Sequence, residues 1–204
     1  MFIVLEGPDG TGKDTQANLI SEKLKEEGYP FISTRDPSGK VANIRALLLG
    51  KELEESTRLY LYLAARSELY FKQIKPALES GKIVICNRYD FSTYAYQGQH
   101  FSYDDIRKMH TIGGLAQRPD LCLVFISAKP LWQNKQEDVM DMYCQKYRNE
   151  IINIYRMLAT MEPNVKLIEV DDMTPEQVFK VVWSTLSSSL EGYYEKHNIM
   201  RKNG

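Results

Sequence analysis

Apolar residues along this chain gather in five short runs, at 2–5, 31–33, 83–86, 121–126 and 165–170, which read as β-strands. Between them, apolar positions recur at helical spacing. Leu19, Ile20, Lys23, Leu24 and Glu27 share one face of a first helix, which Gly28 is placed to end. Residues 56–78 form a longer helix, apolar at Leu59, Tyr62, Leu63 and Leu69, in which Pro76 should kink or nearly end the pattern. Segments 103–115, 147–160 and 175–190 are also helical in pattern. The stretch 131–146 is polar, mixed in charge and poorly periodic, which suits a mobile flap over a site better than a core helix. This alternation predicts a mostly parallel sheet with helices on both faces, whose ligands sit beyond the carboxyl ends of the strands. Each of the first four runs is followed by polar residues suited to chemistry. They are the loop at 7–15, Thr34-Arg35-Asp36-Pro37, Asn87-Arg88-Tyr89 and Ser127-Ala-Lys129-Pro130.

At 204 residues the chain is most simply one domain, 1–204, long enough to bury a good core. A formal net charge of −1 indicates no broad basic surface for nucleic acid, so anion binding must come from locally placed Arg and Lys. Cys86, Cys122 and Cys144 lack metal-type spacing and read as reduced thiols of a cytoplasmic protein. The N-terminal apolar run is too short for a signal peptide, and no run approaches a membrane span. Residues 197–204 are expected to be a polar, frayed end.

The loop after the first strand reads Gly7-Pro-Asp-Gly-Thr-Gly12-Lys13-Asp14-Thr15. Two glycines with four residues between them and a following lysine make the phosphate cradle of P-loop proteins. The glycines let backbone N–H groups curl around phosphates, and Lys13 reaches the terminal ones. Asp14 stands where a Ser or Thr hydroxyl normally meets Mg²⁺.

Further along come Arg35-Asp-Pro, Ile44-Arg45-Ala-Leu-Leu-Leu, Tyr62-Leu-Ala-Ala-Arg66, Asn87-Arg88-Tyr89, Ser92-Thr-Tyr-Ala-Tyr96-Gln97-Gly98 and Pro119-Asp120-Leu121. As an ordered set with the P-loop, from residue 2 to about 170, they resemble the thymidylate kinase family. The resemblance implies a P-loop nucleoside monophosphate kinase fold, with a five-stranded mostly parallel sheet and a short lid at about 131–148. It also implies transfer of a phosphoryl group from ATP, with Mg²⁺, to the 5′-phosphate of dTMP, usually by a homodimer. Gly7, Gly10, Gly12, Lys13, Asp14 and Thr15 would then hold ATP, with Asp14 and Thr15 facing the metal directly or through water.

Such chemistry gathers negative charge in one cleft, and fixed cations on several loops answer that need. Lys13, Arg35 and Arg88 can converge from three strand ends. By resemblance Arg35 and Arg88 hold the acceptor phosphate, with Arg88 also near the transferred group. Tyr62 and Arg66 lie four apart on one helix face; the resemblance has the ring stack on thymine and the arginine donate to its O4. A tyrosine at that spacing also reads as core. Asp9 corresponds to an acidic residue near the acceptor's 3′-hydroxyl, although Asp-Gly is also ordinary turn chemistry. Tyr96 matches a ring that fills the space of a ribose 2′-hydroxyl, and Thr93 and Gln97 are candidates for contact with base or sugar.

Three positions depart from the family pattern. Asn87 stands for an aspartate that helps organise the Mg²⁺ shell, while Asp14 adds a carboxylate facing the same metal, so the acidic group reads as relocated. Asp14 equally reads as a helix cap favoured by the dipole, and Thr15 can take the hydroxyl role. In the flap, Asp141-Met142-Tyr143-Cys144 lacks the family's arginine, which leaves Lys135, Lys146, Arg148 and Lys129 as candidate lid cations, with Arg148 and Lys135 favoured. A kinase of free deoxynucleosides and a non-catalytic nucleotide-binding protein are the competing readings.

Overall fold

The structure of the chain is a computed structural model that describes residues 1–38, 41–50, 52–131 and 138–196. Five parallel strands form one sheet: β1 (Phe2–Glu6), β2 (Phe31–Arg35), β3 (Ile83–Asn87), β4 (Leu121–Ile126) and β5 (Val165–Glu169), in the order β2-β3-β1-β4-β5. Every pairing is parallel, so the sheet is more uniform than the mostly parallel one expected.

The strand order explains the layers. From β1 the chain moves past β3 to the edge, then returns, crosses β1 and continues to β5. Right-handed crossovers therefore place the first connecting helix on one face and all those between β2 and β5 on the other. The helices are α1 (Lys13–Glu26), α2 (Ala42–Gly50), α3 (Glu55–Leu69), α4 (Lys75–Glu79), α5 (Asp90–Gln97), α6 (Tyr103–Ile112), α7 (Val139–Lys146), α8 (Arg148–Met161) and α9 (Pro175–Lys196). The alternation of strand side chains splits the core accordingly. Ile3, Leu5, Ile85, Leu123 and Phe125 pack on Ile20 and Leu24 of α1 and on Val182 and Leu186 of α9. Val4, Val84, Cys86 and Val124 pack on Leu69, Phe91, Ile106, Ile151 and Tyr155 of the other layer. The chain reverses direction across the sheet at β1, so the crevice at its carboxyl end is the topological switch point where such sheets bind ligands.

Gly28 ends α1 with φ 74°, as its position suggested. The long helix around Pro76 does not break. A single π turn at Tyr70–Ile74 joins α3 to α4, and Pro76 falls in the first turn of α4, where its missing N–H costs little.

The flap needs correction. Its second half is α7, capped by Asp138, which accepts from Met140 and Asp141 N–H, with Asp141 answering the Asp138 N–H. Met140 and Cys144 are buried in the core. The helix is faint in the sequence because only two turns carry the apolar face. Lys135 and the tail at 197–204 lie outside the described residues. Two further helices, α2 and α5, were not expected as such, although their residues had been singled out for chemistry.

Candidate active site

A cleft of about 580 Å³ opens at the carboxyl ends of β1, β2 and β3. Of the residues singled out from sequence, Asp9, Gly10, Gly12, Lys13, Asp14, Thr15, Arg35, Tyr62, Arg66, Arg88, Thr93, Tyr96 and Gln97 line it.

The P-loop runs from β1 into α1. Gly7 has φ 133°, and a Cβ there would stand 2.2 Å from Phe125 O of β4, so no other residue fits. Gly10 and Gly12 follow at φ 79° and 80°. Lys13 turns back over this loop, its Nζ donating to Gly7 O at 2.9 Å, Pro8 O at 2.6 Å and Thr11 Oγ1 at 3.3 Å. It is 7% exposed. Burial and the nearby Arg88 charge push its ammonium down to about 7, although Asp9 and Glu6 pull the other way.

Arg88 follows β3 in a left-handed conformation, φ 71°. Its backbone N–H donates to Leu5 O at 2.8 Å, extending the β1–β3 pairing. The side chain then reaches across the P-loop. Nη1 donates to Gly7 O at 3.0 Å and Ser92 Oγ at 3.1 Å, and Nη2 donates to Asp9 Oδ1 at 2.5 Å. Tyr96 donates to Asp9 Oδ2 at 2.9 Å, and the Arg88 guanidinium lies 5.3 Å from the Tyr96 ring centre. Burial opposes ionisation of Asp9, but Arg88, Lys13 and the Tyr96 hydroxyl outweigh it and hold the carboxyl at about 2. Asp9, Arg88 and Tyr96 are thus one charged unit beside the phosphate loop.

Asp14 and Asn87, paired in the sequence reading by their chemistry, touch. Asn87 Nδ2 donates to Asp14 Oδ1 at 2.7 Å, and Arg35 Nη2 donates to the same oxygen at 2.6 Å. Asp14 is 73% exposed, so this contact leaves most of the carboxylate open to the cleft.

At the inner end Arg66 is almost wholly buried, with Nε donating to Asp36 Oδ2 at 2.6 Å. Burial pushes the Asp36 carboxyl up against the pull of Arg66. Tyr62, half-buried one turn earlier, also faces the cleft; burial raises its phenol to about 12.

Arg148 sits elsewhere than a lid cation would. As the first residue of α8 it is buried outside the cleft lining, its Nε donating to Ser127 O at 3.0 Å and Nη1 to Asp9 O at 2.8 Å. It braces the P-loop from behind. Among the described residues, Glu6 and His110 escaped the sequence reading, and Asp36 entered it only as part of the loop after β2, without a role. Glu6 is wholly buried at the end of β1 and accepts from the N–H groups of Tyr89 and Ser92 and the hydroxyls of Ser92 and Tyr155. That carboxylate ties β1, α5 and α8 together under the site. A Glu closing an apolar strand was the available signal, because a buried carboxylate must find donors.

No described cluster of three His, Cys, Asp or Glu side chains could hold a metal ion alone. Among the described residues no helix is long and apolar enough to cross a membrane.

A phosphate loop at the switch point of a five-stranded parallel sheet, faced by arginines from the next two strand ends, defines a P-loop nucleotide kinase. The thymidylate kinase family model matches residues 5–178. A thymidylate kinase of Neorickettsia sennetsu is 35% identical over 193 residues, spanning 92% of this chain and 96% of that one. A Synechococcus thymidylate kinase is 35% identical over 198 residues, with 93% and 97% covered. The crystal structure of thymidylate kinase from Ehrlichia chaffeensis superposes with a TM-score of 0.77 at 28% identity, covering 92% of this chain and 98% of that one. The chain belongs to the thymidylate kinase family and is a phosphotransferase.

Proposed function

We propose that this chain transfers the terminal phosphoryl group of ATP to the 5′-phosphate of dTMP, or of a closely related deoxyuridylate, giving dTDP and ADP. The observation that carries this is one cleft in which Lys13 and Arg88 face the phosphate loop while Tyr62 and Arg66 line the inner end. A phosphate is already an adequate nucleophile, so positioning and charge suffice and no general base is required. Lys13 and Arg88 serve the transferred group, Arg35 and Arg88 the acceptor phosphate, and Asp9 with Tyr96 the deoxyribose. The bond between Asp9 and Tyr96 supports that pairing: the ring is anchored beside the carboxylate that would take the 3′-hydroxyl. Arg66, Thr93 and Gln97 address the base.

Mg²⁺ belongs to the same reading, and the residues fit it. Asp14 offers an exposed carboxylate and Thr15 an exposed hydroxyl at the loop, which suits an ion that keeps several waters and takes most ligands from phosphate. When bound, the ion would neutralise charge on the phosphates. The Asn87 contact sharpens the relocation idea. An aspartate at 87 would oppose Asp14 at about the 2.7 Å of the present bond, and two carboxylates there repel. Asn87→Asp alone is therefore expected to cut kcat/KM by about tenfold or more, and Asp14→Thr in the same chain to restore much of it. A double variant no better than the product of the singles would refute the coupling.

A cytoplasmic homodimer completes the reading. Three buried free cysteines support the first part. Exposed Tyr60, Phe71 and Ile112 on α3, the π turn and α6 support the second, and sedimentation equilibrium measures the mass.

A coupled assay with ATP and Mg²⁺ against nucleoside monophosphates and thymidine tests the whole. ADP release with dTMP but not with thymidine is expected. Turnover of thymidine would favour a nucleoside kinase, and silence with every acceptor would favour a binding protein. The carboxylate after β2, Asp36, is engaged by Arg66 and is poorly placed to serve as the base that a nucleoside kinase needs.

A further inference from the structure

Arg66 is 1% exposed, and most of its donors are committed within the protein. Nε donates to Asp36 Oδ2 at 2.6 Å; Nη1 donates to Thr93 Oγ1 at 2.8 Å and to His110 Nε2 at 2.6 Å. A guanidinium has five N–H groups, so the two on Nη2 remain. Among the described residues they have no protein partner, and Arg66 lines the cleft.

His110 lies on α6, away from the cleft lining, and is 4% exposed. Its Nδ1 meets Ile106 O at 2.8 Å, one turn back. A carbonyl only accepts and a guanidinium only donates, so Nδ1 carries the proton and Nε2 presents its lone pair to Arg66. The ring is also clamped flat against Tyr94, 5.8 Å centre to centre at 17°, and Tyr94 stacks on Tyr103. The Tyr89 ring lies 5.4 Å from the Arg66 guanidinium. Burial and the positive charges of Arg66 and Arg118 push the imidazole down to about 3, against the Ile106 hydrogen bond, so it stays neutral.

We propose that His110 is a positioning residue for choice of the acceptor base: as a neutral acceptor locked on Ile106 and Tyr94, it holds the Arg66 guanidinium so that Nη2 faces the cleft as a donor. A donor fixed there favours a pyrimidine with a carbonyl on that edge and rejects one with an amino group. Without His110, one Nη1 hydrogen is left unpaired and the guanidinium can turn about its remaining contacts to satisfy it. This inference rests on the reading of Arg66 as the base-facing arginine.

The test compares wild type, His110→Leu and His110→Gln with dTMP and dCMP. The Leu variant is expected to raise KM for dTMP about tenfold and lower the dTMP/dCMP ratio of kcat/KM by about tenfold, while kcat for dTMP changes less than about threefold. Gln keeps an acceptor and should restore most of the ratio. A residue that only filled space would lower the melting temperature without moving that ratio. An unchanged ratio in the Leu variant, or a Gln variant as unselective as Leu, overturns the proposal. Wild type inactive toward dTMP instead overturns the functional reading beneath it.

A second measurement needs no Leu variant. An imidazole held down in the folded state binds its proton only on unfolding, so stability from it is complete above the unfolded value near 6.5 and is lost as pH falls toward 3. The charged and titratable groups facing it, Arg66 with Asp36, Arg118, Tyr94 and Tyr103, are shared by both proteins. The unfolding constant of wild type relative to His110→Gln should therefore rise by up to about tenfold per pH unit from pH 6 to 4. A flat ratio would mean that His110 is no neutral acceptor and would sink the proposal.

Discussion

Replacing Lys13 with methionine is expected to lower kcat by about a thousandfold, roughly 4 kcal/mol of transition-state stabilisation, while dTMP affinity changes little. Lys13 is the cation that α1 delivers into the loop proposed to take the donor phosphates, and phosphoryl transfer depends on fixed charge more than on any covalent step. In the structure its Nζ is held by two loop carbonyls and the Thr11 hydroxyl, none of them charged. Burial and Arg88 lower its ammonium to about 7, so near pH 8 much of it is neutral before a nucleotide arrives. Phosphates in the loop favour the charged form. ATP binding at pH 8 is therefore expected to draw in close to one proton, an uptake that fades as pH falls below 7 because the amine is already charged. Calorimetry in buffers of different ionisation heat reads this directly, and the methionine variant should show none of it. Equal binding heats across buffers for wild type would remove the electrostatic account of Lys13.

The second large effect is expected at Arg88. Arg88→Met should reduce kcat/KM for dTMP by about a thousandfold or more and also cost about 3 kcal/mol of stability. The two losses have different causes. Activity goes because the guanidinium that spans the P-loop and faces the cleft is gone. Stability goes because Asp9, held at about 2 chiefly by Arg88 against its burial, keeps only the Lys13 charge and the Tyr96 hydroxyl to offset that burial. A carboxyl with a depressed folded value contributes stability above its unfolded value near 4 and loses it as pH falls toward 2. Wild type should thus weaken across that window more steeply than Arg88→Met. Adding Asp9→Asn to Arg88→Met is expected to recover stability and none of the activity. A double variant as unstable as the single would mean that the Asp9 charge was not the cause.

The chain's own pattern carried much of this. Strand positions follow from apolar runs, and the P-loop from glycines whose spacing has one physical use. Even the Asp14–Asn87 pairing, a 2.7 Å bond, was legible as a chemical exchange, because Asn87 closes β3 and Asp14 opens α1 directly after the phosphate loop. Helix α7 was not legible, since an eight-residue helix with Met140 and Cys144 inward looks polar when read by period. Arg148 was misplaced for a related reason. Its charge suggested a lid, while the turn from α7 into α8 points it beneath the P-loop, onto Asp9 O.

What the sequence determined alone is the α/β class, the phosphate loop and the set of cations available to it, because these are encoded in neighbours a turn or a strand apart. What tertiary structure decided is which donors those cations keep. Arg66 meets Asp36 30 residues away and His110 44 away, and Glu6 meets Tyr155 across 149. Such pairings form only when the sheet brings distant segments together in a low-dielectric interior, where each buried charge must be matched. Composition supplied the arginine; packing left it one nitrogen for the cleft.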